Sequence, residues 1–293
     1  MIMMKRIVIY LNEMFPLTAI IASIITAVAV QLTYLRLFDL RPESILPLIV
    51  PAIVLTCISL LIRIMDEFKD YQDDLTHFPN RPLPSGRVLK KDLLGLGIFC
   101  VFLIVFLSMT STKLLIWALI TLCFTFLMLK WFFIESIMRK NLPLAFITHH
   151  PVVLFNFIYL LIACMQMNPA VTFDKALYIL PVCLIFTNWE IARKIRAPEQ
   201  ETSYTTYSKI MGPRPAMILS LALQIIFILA VMNIFSQIGT NMILRGAFLF
   251  TQLLLISPSL YFLIRLKTTV TFRAIAEAQI LVVVITLLTS ALL

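Results

Sequence analysis

Long apolar runs separated by short polar connections fill the sequence from about residue 15 to its end. A helix needs about 20 mostly apolar residues to cross a bilayer, and in lipid it must satisfy its own backbone hydrogen bonds. The apolar runs therefore predict an all-α polytopic membrane protein, a single domain over residues 1–293, with a bundle of about nine transmembrane helices at 15–37, 46–68, 92–110, 113–134, 143–166, 175–193, 214–235, 242–264 and 271–292.

The amino-acid composition indicates that most of the protein surface faces lipid. Hydrophobic residues make up 61% of the chain and charged residues only 13%, whereas soluble domains carry about 25% charged residues. The net charge of +9 is spread between the apolar runs and forms no basic domain. This distribution excludes a nucleic-acid-binding domain and leaves membrane lipid as the expected surroundings.

The distribution of Lys and Arg predicts the orientation of the chain. If the N-terminus is cytosolic, nineteen of the 24 basic residues lie on the cytosolic side, as the positive-inside rule requires. We therefore expect an integral protein of the plasma (inner) membrane with a cytosolic N-terminus. The two longest polar connections, at about 63–91 and 190–214, both face the cytosol, so the active site is expected at that face.

The first polar connection begins with regularly spaced carboxylates. Asp66, Asp70 and Asp74 follow one another at intervals of four residues and share one face of a helix. Like charges at this spacing repel one another, and charge is costly near hydrocarbon. Mg²⁺ would compensate, because it takes carboxylate and phosphate oxygens as ligands. The alternative is a solvated acidic helix end balanced by the basic residues Arg63, Lys69 and Arg81.

The segment that follows favours the metal site over the solvated helix end. Asn80-Arg81-Pro82-Leu83-Pro84-Ser85-Gly86-Arg87 combines prolines and a glycine that restrict the loop with two guanidinium groups. Arginine binds phosphate oxygens through paired hydrogen bonds. Carboxylates for a metal next to arginines for phosphate predict a site for a Mg²⁺–diphosphate group.

These motifs resemble the UbiA superfamily of membrane prenyltransferases. The superfamily carries NxxxDxxxD at the end of its second transmembrane helix, followed by an RPLPSG-like stretch. Here the motifs read Asp66-x-x-x-Asp70-x-x-x-Asp74 and Arg81-Pro82-Leu83-Pro84-Ser85-Gly86, with Asp66 in place of the usual Asn. The resemblance implies Mg²⁺ as cofactor, a prenyl diphosphate as substrate, and Asp66, Asp70 and Asp74 as catalytic metal ligands.

The second polar connection departs from the superfamily's second Asp-rich motif. It contains no aspartate, and its only acidic residues are Glu190, Glu199 and Glu201. Glu190 and Glu199 are candidate ligands of a second Mg²⁺. The alternative is a basic clamp in which these glutamates are ion-pair partners of Arg193, Lys194 and Arg196.

Basic residues near both connections are candidates for binding the diphosphate. The superfamily often has a YxxxK element late in the fourth helix, and Phe126-x-x-x-Lys130 stands at that place, although Lys130 could simply extend to the headgroups. The full set of candidate diphosphate ligands is Arg63, Lys69, Arg81, Lys130 and Lys194. The pair His149 and His150 is interpreted as ordinary interfacial residues.

The predicted function is Mg²⁺-dependent transfer of a prenyl group from a prenyl diphosphate to an acceptor within the membrane. The resemblance implies an acceptor that is an aromatic quinone precursor or a lipid. Two alternatives remain: a UbiA-type terpene cyclase that needs no acceptor, and a non-catalytic membrane transporter or lipid-binding protein. Transport would be favoured by charged residues at the membrane centre or by paired broken helices.

Overall fold

The structure is a computed structural model that describes residues 2–202, 205–268 and 270–293. Within these ranges every regular element is helical, which confirms the predicted all-α membrane-protein fold. The chain separates into two compact units, Met1–Val28 with Glu43–Met167 and Ala29–Pro42 with Asn168–Leu293. The single domain over residues 1–293 stays a prediction.

The first unit carries the first polar connection between its helices. Its elements are α1 (Ile2–Met14), the first part of α2 (Leu17–Arg36), α3 (Leu46–Lys69), α4 (Tyr71–His77), α5 (Lys90–Ser108), α6 (Thr112–Leu129), α7 (Glu135–Met138), α8 (Leu142–His149) and α9 (Pro151–Met167).

The second unit carries the second polar connection. Its elements are the end of α2, α10 (Phe173–Ala176), α11 (Leu184–Ala192), α12 (Tyr207–Met211), α13 (Pro213–Gln237), α14 (Met242–Arg265) and α15 (Phe272–Leu292).

Side-chain caps begin several helices of the chain. Asn141, Asn241 and Thr271 each accept a hydrogen bond from the backbone N–H three residues later, at 3.0, 2.8 and 3.3 Å.

Eight of the nine predicted spans are confirmed as long apolar helical segments among the described residues, and the one at 143–166 is formed by α8 and α9 in succession. The exception is the predicted span 175–193, which is divided between α10, a 3₁₀ turn at Leu180–Cys183 and α11. Pro181 lies in that turn and has no N–H for a helical hydrogen bond. The continuous helical part, Leu180–Ala192, is about 20 Å long, shorter than the roughly 30 Å hydrocarbon core.

The N-terminal helix α1 packs on α5 in the first unit. Arg6 donates from Nε and Nη2 to the two carboxylate oxygens of Asp92, at 2.5 and 2.9 Å. Tyr10 is fully buried and belongs to one apolar cluster with Ile64, Leu83, Val88 and Leu93. Since Leu83 lies in the Pro-rich loop and Val88 follows it, α1 and α3 together hold that loop against the N-terminal end of α5.

A closed ring of hydrogen bonds joins three helices of the second unit. Asn188 donates to Gln279, Gln279 to Gln224, Gln224 to Ser220, and Ser220 back to Asn188, over distances of 2.7 to 3.3 Å. All four side chains are buried. Buried polar groups are costly unless hydrogen-bonded, so the ring fixes α11 to α13 and α15 and sets the position of Glu190, two residues after Asn188.

Candidate functional site

The aspartate motif lies where α3 bends into α4. Asp70 stands at the bend, with φ −101° and ψ 10°. The backbone N–H of Asp70 donates to Asp66 O, and that of Asp74 donates to Asp70 O, both at 2.9 Å. Helical hydrogen bonds therefore continue through the bend. The three aspartates remain on successive turns, but α3 ends at Lys69 and the helix that was predicted to carry all three on one face is divided in two.

Asp74 is buried, and its carboxylate forms an ion pair with Arg81. Its residue is 5% exposed, and Arg81 Nη1 lies 2.7 Å from each of its two oxygens. The Arg81 guanidinium also lies 4.0 Å from the centre of the Phe78 ring, a cation–π contact. Asp74 and Arg81 were predicted to bind metal and diphosphate, and the structure brings them together as each other's partners.

The loop that presents Arg81 is fixed by its own backbone. Ser85 N–H donates to Arg81 O at 3.0 Å, and Val88 N–H donates to Pro82 O at 3.0 Å. Gly86 has φ +76°, a conformation that glycine adopts without the steric cost of a Cβ atom. Arg87 ties the loop to α1 through Glu13 and donates to Asn80 O at 2.6 Å. The arginines thus sit on a braced loop.

Glu67 is a carboxylate of this cluster that sequence reasoning missed. It is 1% exposed and forms an ion pair with Arg63, one turn earlier on α3. Its Oε2 atom has no hydrogen-bond partner among the described residues. Arg63, predicted to bind diphosphate, is therefore engaged with Glu67. The spacing of four residues between Arg63 and Glu67 was the sequence signal that could have indicated this pair.

Asp66 and Asp70 are the carboxylates best placed to receive a cation. Asp66 lies 3.9 Å from Lys69 Nζ, and its side chain is 40% exposed. Asp70 forms no hydrogen bond or ion pair through its carboxylate with any other described residue. Burial raises the pKa of the Asp70 carboxyl to about 6, and the negative charge of Asp66 adds to the rise, against a lowering by Lys69. An anion destabilised in this way is a good partner for a divalent cation.

The raised pKa of Asp70 predicts a pH-dependent stability. A carboxyl whose folded-state pKa is raised stabilises the fold below its unfolded pKa of about 3.9, and this contribution is lost as pH rises through about 6. Without divalent cations, the wild type should lose stability between about pH 4 and 7 relative to Asp70→Asn. The loss should be at most about 3 kcal/mol, at about 1.4 kcal/mol per pKa unit.

Thermal unfolding in detergent with EDTA, at pH 5 and pH 7.5, measures this difference. Adding Mg²⁺ at pH 7.5 should raise the melting temperature of the wild type and leave Asp70→Asn unchanged. Asp73→Asn is the matched control, because Asp73 is exposed and paired with Arg139 at 2.6 Å. Parallel pH profiles for the wild type and Asp70→Asn would show that the Asp70 carboxyl titrates normally.

The remaining candidate bases of the first unit differ in their surroundings. Lys69 is largely buried, with a side chain 9% exposed. Together with Asp66 it lines a narrow slot between α3 and α6, whose walls also include Met65, Thr125 and Met128. Lys130 is exposed at the C-terminal end of α6.

A separate open groove of about 360 Å³ lies beside Arg81, lined by Glu13, Met14, His77, Phe78, Pro79, Asn80 and Pro82.

The second polar connection holds its own glutamates in place. Glu190 accepts from Arg193 Nε at 2.6 Å and from Arg193 Nη2 at 2.8 Å, and lies 3.1 Å from Lys194 Nζ. Glu199 is exposed in a 3₁₀ turn. Glu201 accepts from the hydroxyls of Thr206 and Ser208. Glu190 and Lys194, predicted as metal and diphosphate ligands, are thus ion-paired, the geometry of the basic-clamp alternative.

The carboxylates near the bend are too few to bind a metal ion on their own, but they are enough for Mg²⁺ that also binds substrate phosphate. Among the described residues no three His, Cys, Asp or Glu side chains are grouped as metal ligands. Mg²⁺, however, usually binds one or two carboxylates and completes its octahedron with water and substrate phosphate. Asp66 and Asp70 can supply these two carboxylates, so the residues fit a metal that arrives with a diphosphate.

Two solved structures are similar to this chain over most of its length. One, from a study of digeranylgeranylglyceryl phosphate synthase in membranes, is 16% identical and has a TM-score of 0.59, with 98% of this chain aligned to 99% of that chain. The other, an apo UbiA homologue from Aeropyrum pernix K1, is 13% identical with a TM-score of 0.61, covering 90% and 97%. No family model and no curated protein matches the sequence. At these identities the likeness establishes a shared fold.

Proposed function

We propose that this chain, an integral membrane protein with the fold of the UbiA homologue structures, is a Mg²⁺-dependent prenyltransferase that uses a prenyl diphosphate. One observation carries the proposal. Asp66 at the end of α3 and Asp70 at the bend lie near the Lys69 ammonium, and the Asp70 carboxylate has no hydrogen-bond or ion-pair partner among the described residues. Carboxylates for a cation and bases for phosphate are what a metal-bound diphosphate requires.

The residues of the first unit have distinct roles in this proposal. Asp66 and Asp70 hold the cation, which when bound acts as a Lewis acid and makes diphosphate a better leaving group. Lys69 neutralises phosphate charge that the metal leaves uncompensated. Arg81 and Arg63 form ion pairs with the buried Asp74 and Glu67 carboxylates and thereby support the bend at Asp70. The exposed Lys130 is a further candidate for the outer phosphate oxygens.

The transfer breaks the bond between C1 of the prenyl chain and the diphosphate oxygen. The bonding electrons leave with diphosphate, and an acceptor nucleophile forms the new bond to C1 and loses a proton. Apolar side chains exclude water from the cationic carbon. A lipid acceptor has more support than an aromatic one, because one similar structure comes from work on a synthase of a glyceryl phosphate lipid. Glu190 and Glu199 remain candidate ligands of a second Mg²⁺.

The site is proposed to face the cytosol. The nineteen-to-five bias of Lys and Arg counts 175–193 as a crossing segment, and on that count it supports a cytosolic N-terminus with both polar connections on the cytosolic side. The plasma (inner) membrane is the proposed location.

Release of diphosphate tests the function. Detergent-purified protein is incubated with geranyl, farnesyl or geranylgeranyl diphosphate, with Mg²⁺ or EDTA, and with or without a membrane lipid extract. We expect release that requires Mg²⁺ and the extract. Mg²⁺-dependent release without the extract would identify the cyclase alternative. No release under any condition would contradict the proposed enzyme and leave a transporter or lipid-binding protein.

A further inference from the structure

Three consecutive aromatic residues after α6 adopt an unfavourable backbone conformation. Trp131, Phe132 and Phe133 have φ angles of 50°, 49° and 62°. In this left-handed region an L-residue costs about 1–2 kcal/mol, and residues other than glycine usually enter it singly. Because all three residues are strained in this turn, surrounding contacts must stabilise it. Those contacts therefore indicate the role of the turn.

The left-handed turn delivers two aromatic rings onto one histidine and one lysine. The Trp131 and Phe132 rings each meet the His149 ring edge to face, with centroids 5.5 Å apart. Lys69 Nζ lies 4.1 Å from the centre of the Trp131 ring. Phe132 also packs on Phe124 of α6, at 5.4 Å. The turn therefore places the Trp131 ring against the Lys69 ammonium and packs both rings on His149, and these contacts form an enclosure beside Lys69.

His149 completes the enclosure with a hydrogen-bond acceptor. Its Nδ1 atom lies 2.7 Å from Ala145 O, a carbonyl that only accepts, so the hydrogen is on Nδ1. Its Nε2 atom lies 3.1 Å from Lys69 Nζ, an ammonium that only donates. The imidazole in this arrangement is neutral, with Nε2 as the acceptor. Its contact with Lys69 orients the ammonium without cancelling its charge.

The other charged groups around the enclosure leave the charge of Lys69 available. Asp66 is 3.9 Å from Lys69 Nζ, beyond hydrogen-bond distance. Arg139 forms ion pairs with Asp73 and Glu135, at 2.6 and 2.7 Å. Its Nη2 atom donates to Lys69 O at 3.2 Å, and its guanidinium lies 5.2 Å from the Trp131 ring. Arg139 thus fastens the segment after α6 to the end of α3 without neutralising Lys69.

We propose that His149 and Trp131 are positioning residues that hold the Lys69 ammonium beside Asp66 for the oxygens of a diphosphate. This inference rests on the proposed function and adds to it. A free lysine side chain loses about 2 kcal/mol of rotamer freedom when it is fixed on a ligand. The enclosure orders the Lys69 side chain before the substrate binds. This preorganisation offsets the cost of the strained turn.

Binding and turnover of variants test this role. His149→Leu removes the acceptor, whereas His149→Gln keeps an acceptor oxygen near the place of Nε2. We expect His149→Leu to weaken binding of inorganic diphosphate with Mg²⁺, measured by titration calorimetry, by about tenfold, equivalent to about 1.4 kcal/mol. KM for the prenyl diphosphate should rise similarly with little change in kcat. His149→Gln should recover most of both losses.

A double-mutant cycle separates positioning from general damage to the fold. In a Lys69→Met background, His149→Leu should have no further effect on diphosphate affinity, because the group that it positions is absent. Additive losses, or equal affinities for the wild type and His149→Leu, would overturn the inference while leaving the prenyltransferase in place. A wild type that neither binds diphosphate nor releases it from prenyl diphosphates would overturn both proposals.

Discussion

Asp70→Asn is expected to lower Mg²⁺-dependent prenyl transfer by about a thousandfold. The substitution keeps the size of the side chain and removes the charge of the carboxylate that has no protein partner in the described structure. Lewis-acid assistance is worth several kcal/mol, and about 4 kcal/mol corresponds to a factor of about 10³ in rate. The measurement is diphosphate release per enzyme at saturating prenyl diphosphate and Mg²⁺.

Two controls make this loss interpretable. Asp73→Asn changes the same group three residues away, where the carboxylate is exposed and paired with Arg139, and should retain activity within a few fold of the wild type. Asp70→Asn should be at least as stable as the wild type near neutral pH, because burial disfavours the ionised Asp70. Full activity in Asp70→Asn would remove the basis for the metal site.

Most helix boundaries could be predicted from hydropathy because lipid leaves the backbone few alternatives. An apolar run of about 20 residues must satisfy its own hydrogen bonds, and a helix does so. The prediction 242–264 therefore lies within one residue of Met242–Arg265. The segment 175–193 is also largely apolar, but it contains Pro181 and Asn188 and begins directly after Asp174. Composition could not show that these features shorten the helix.

The site was less predictable from sequence, because its geometry depends on which charged side chains form ion pairs with one another. Spacing correctly indicated that Asp66, Asp70 and Asp74 occupy successive turns. It could not show that a bend at Asp70 accompanies the burial of Asp74 against Arg81, or that the Asp70 carboxylate has no partner among the described residues. The Lys69–His149 contact joins residues 80 positions apart. It depends on a left-handed turn of three aromatic residues, a conformation that sequence patterns do not predict.

The buried ion pair between Asp74 and Arg81 accounts for the second large effect that we expect. Arg81→Met retains an unbranched apolar side chain but leaves the Asp74 carboxylate, 5% exposed, without its partner. Removing one member of a buried pair costs roughly 3–5 kcal/mol. Because the Arg81 side chain is itself 32% exposed, we expect the lower end of that range, about 3 kcal/mol. The measurement is the free energy of unfolding in mixed detergent micelles.

The double variant Asp74→Asn with Arg81→Met should recover at least half of this loss, because no buried charge then remains unpaired. Arg273→Met is the matched control. Its partner Glu277 lies at 2.8 Å, but both side chains are largely exposed, and exposed pairs contribute about 0–1 kcal/mol. If Arg81→Met and Arg273→Met were equally mild, Arg81 would not be required by the fold. Its guanidinium would then be available to the diphosphate, as the sequence alone suggests.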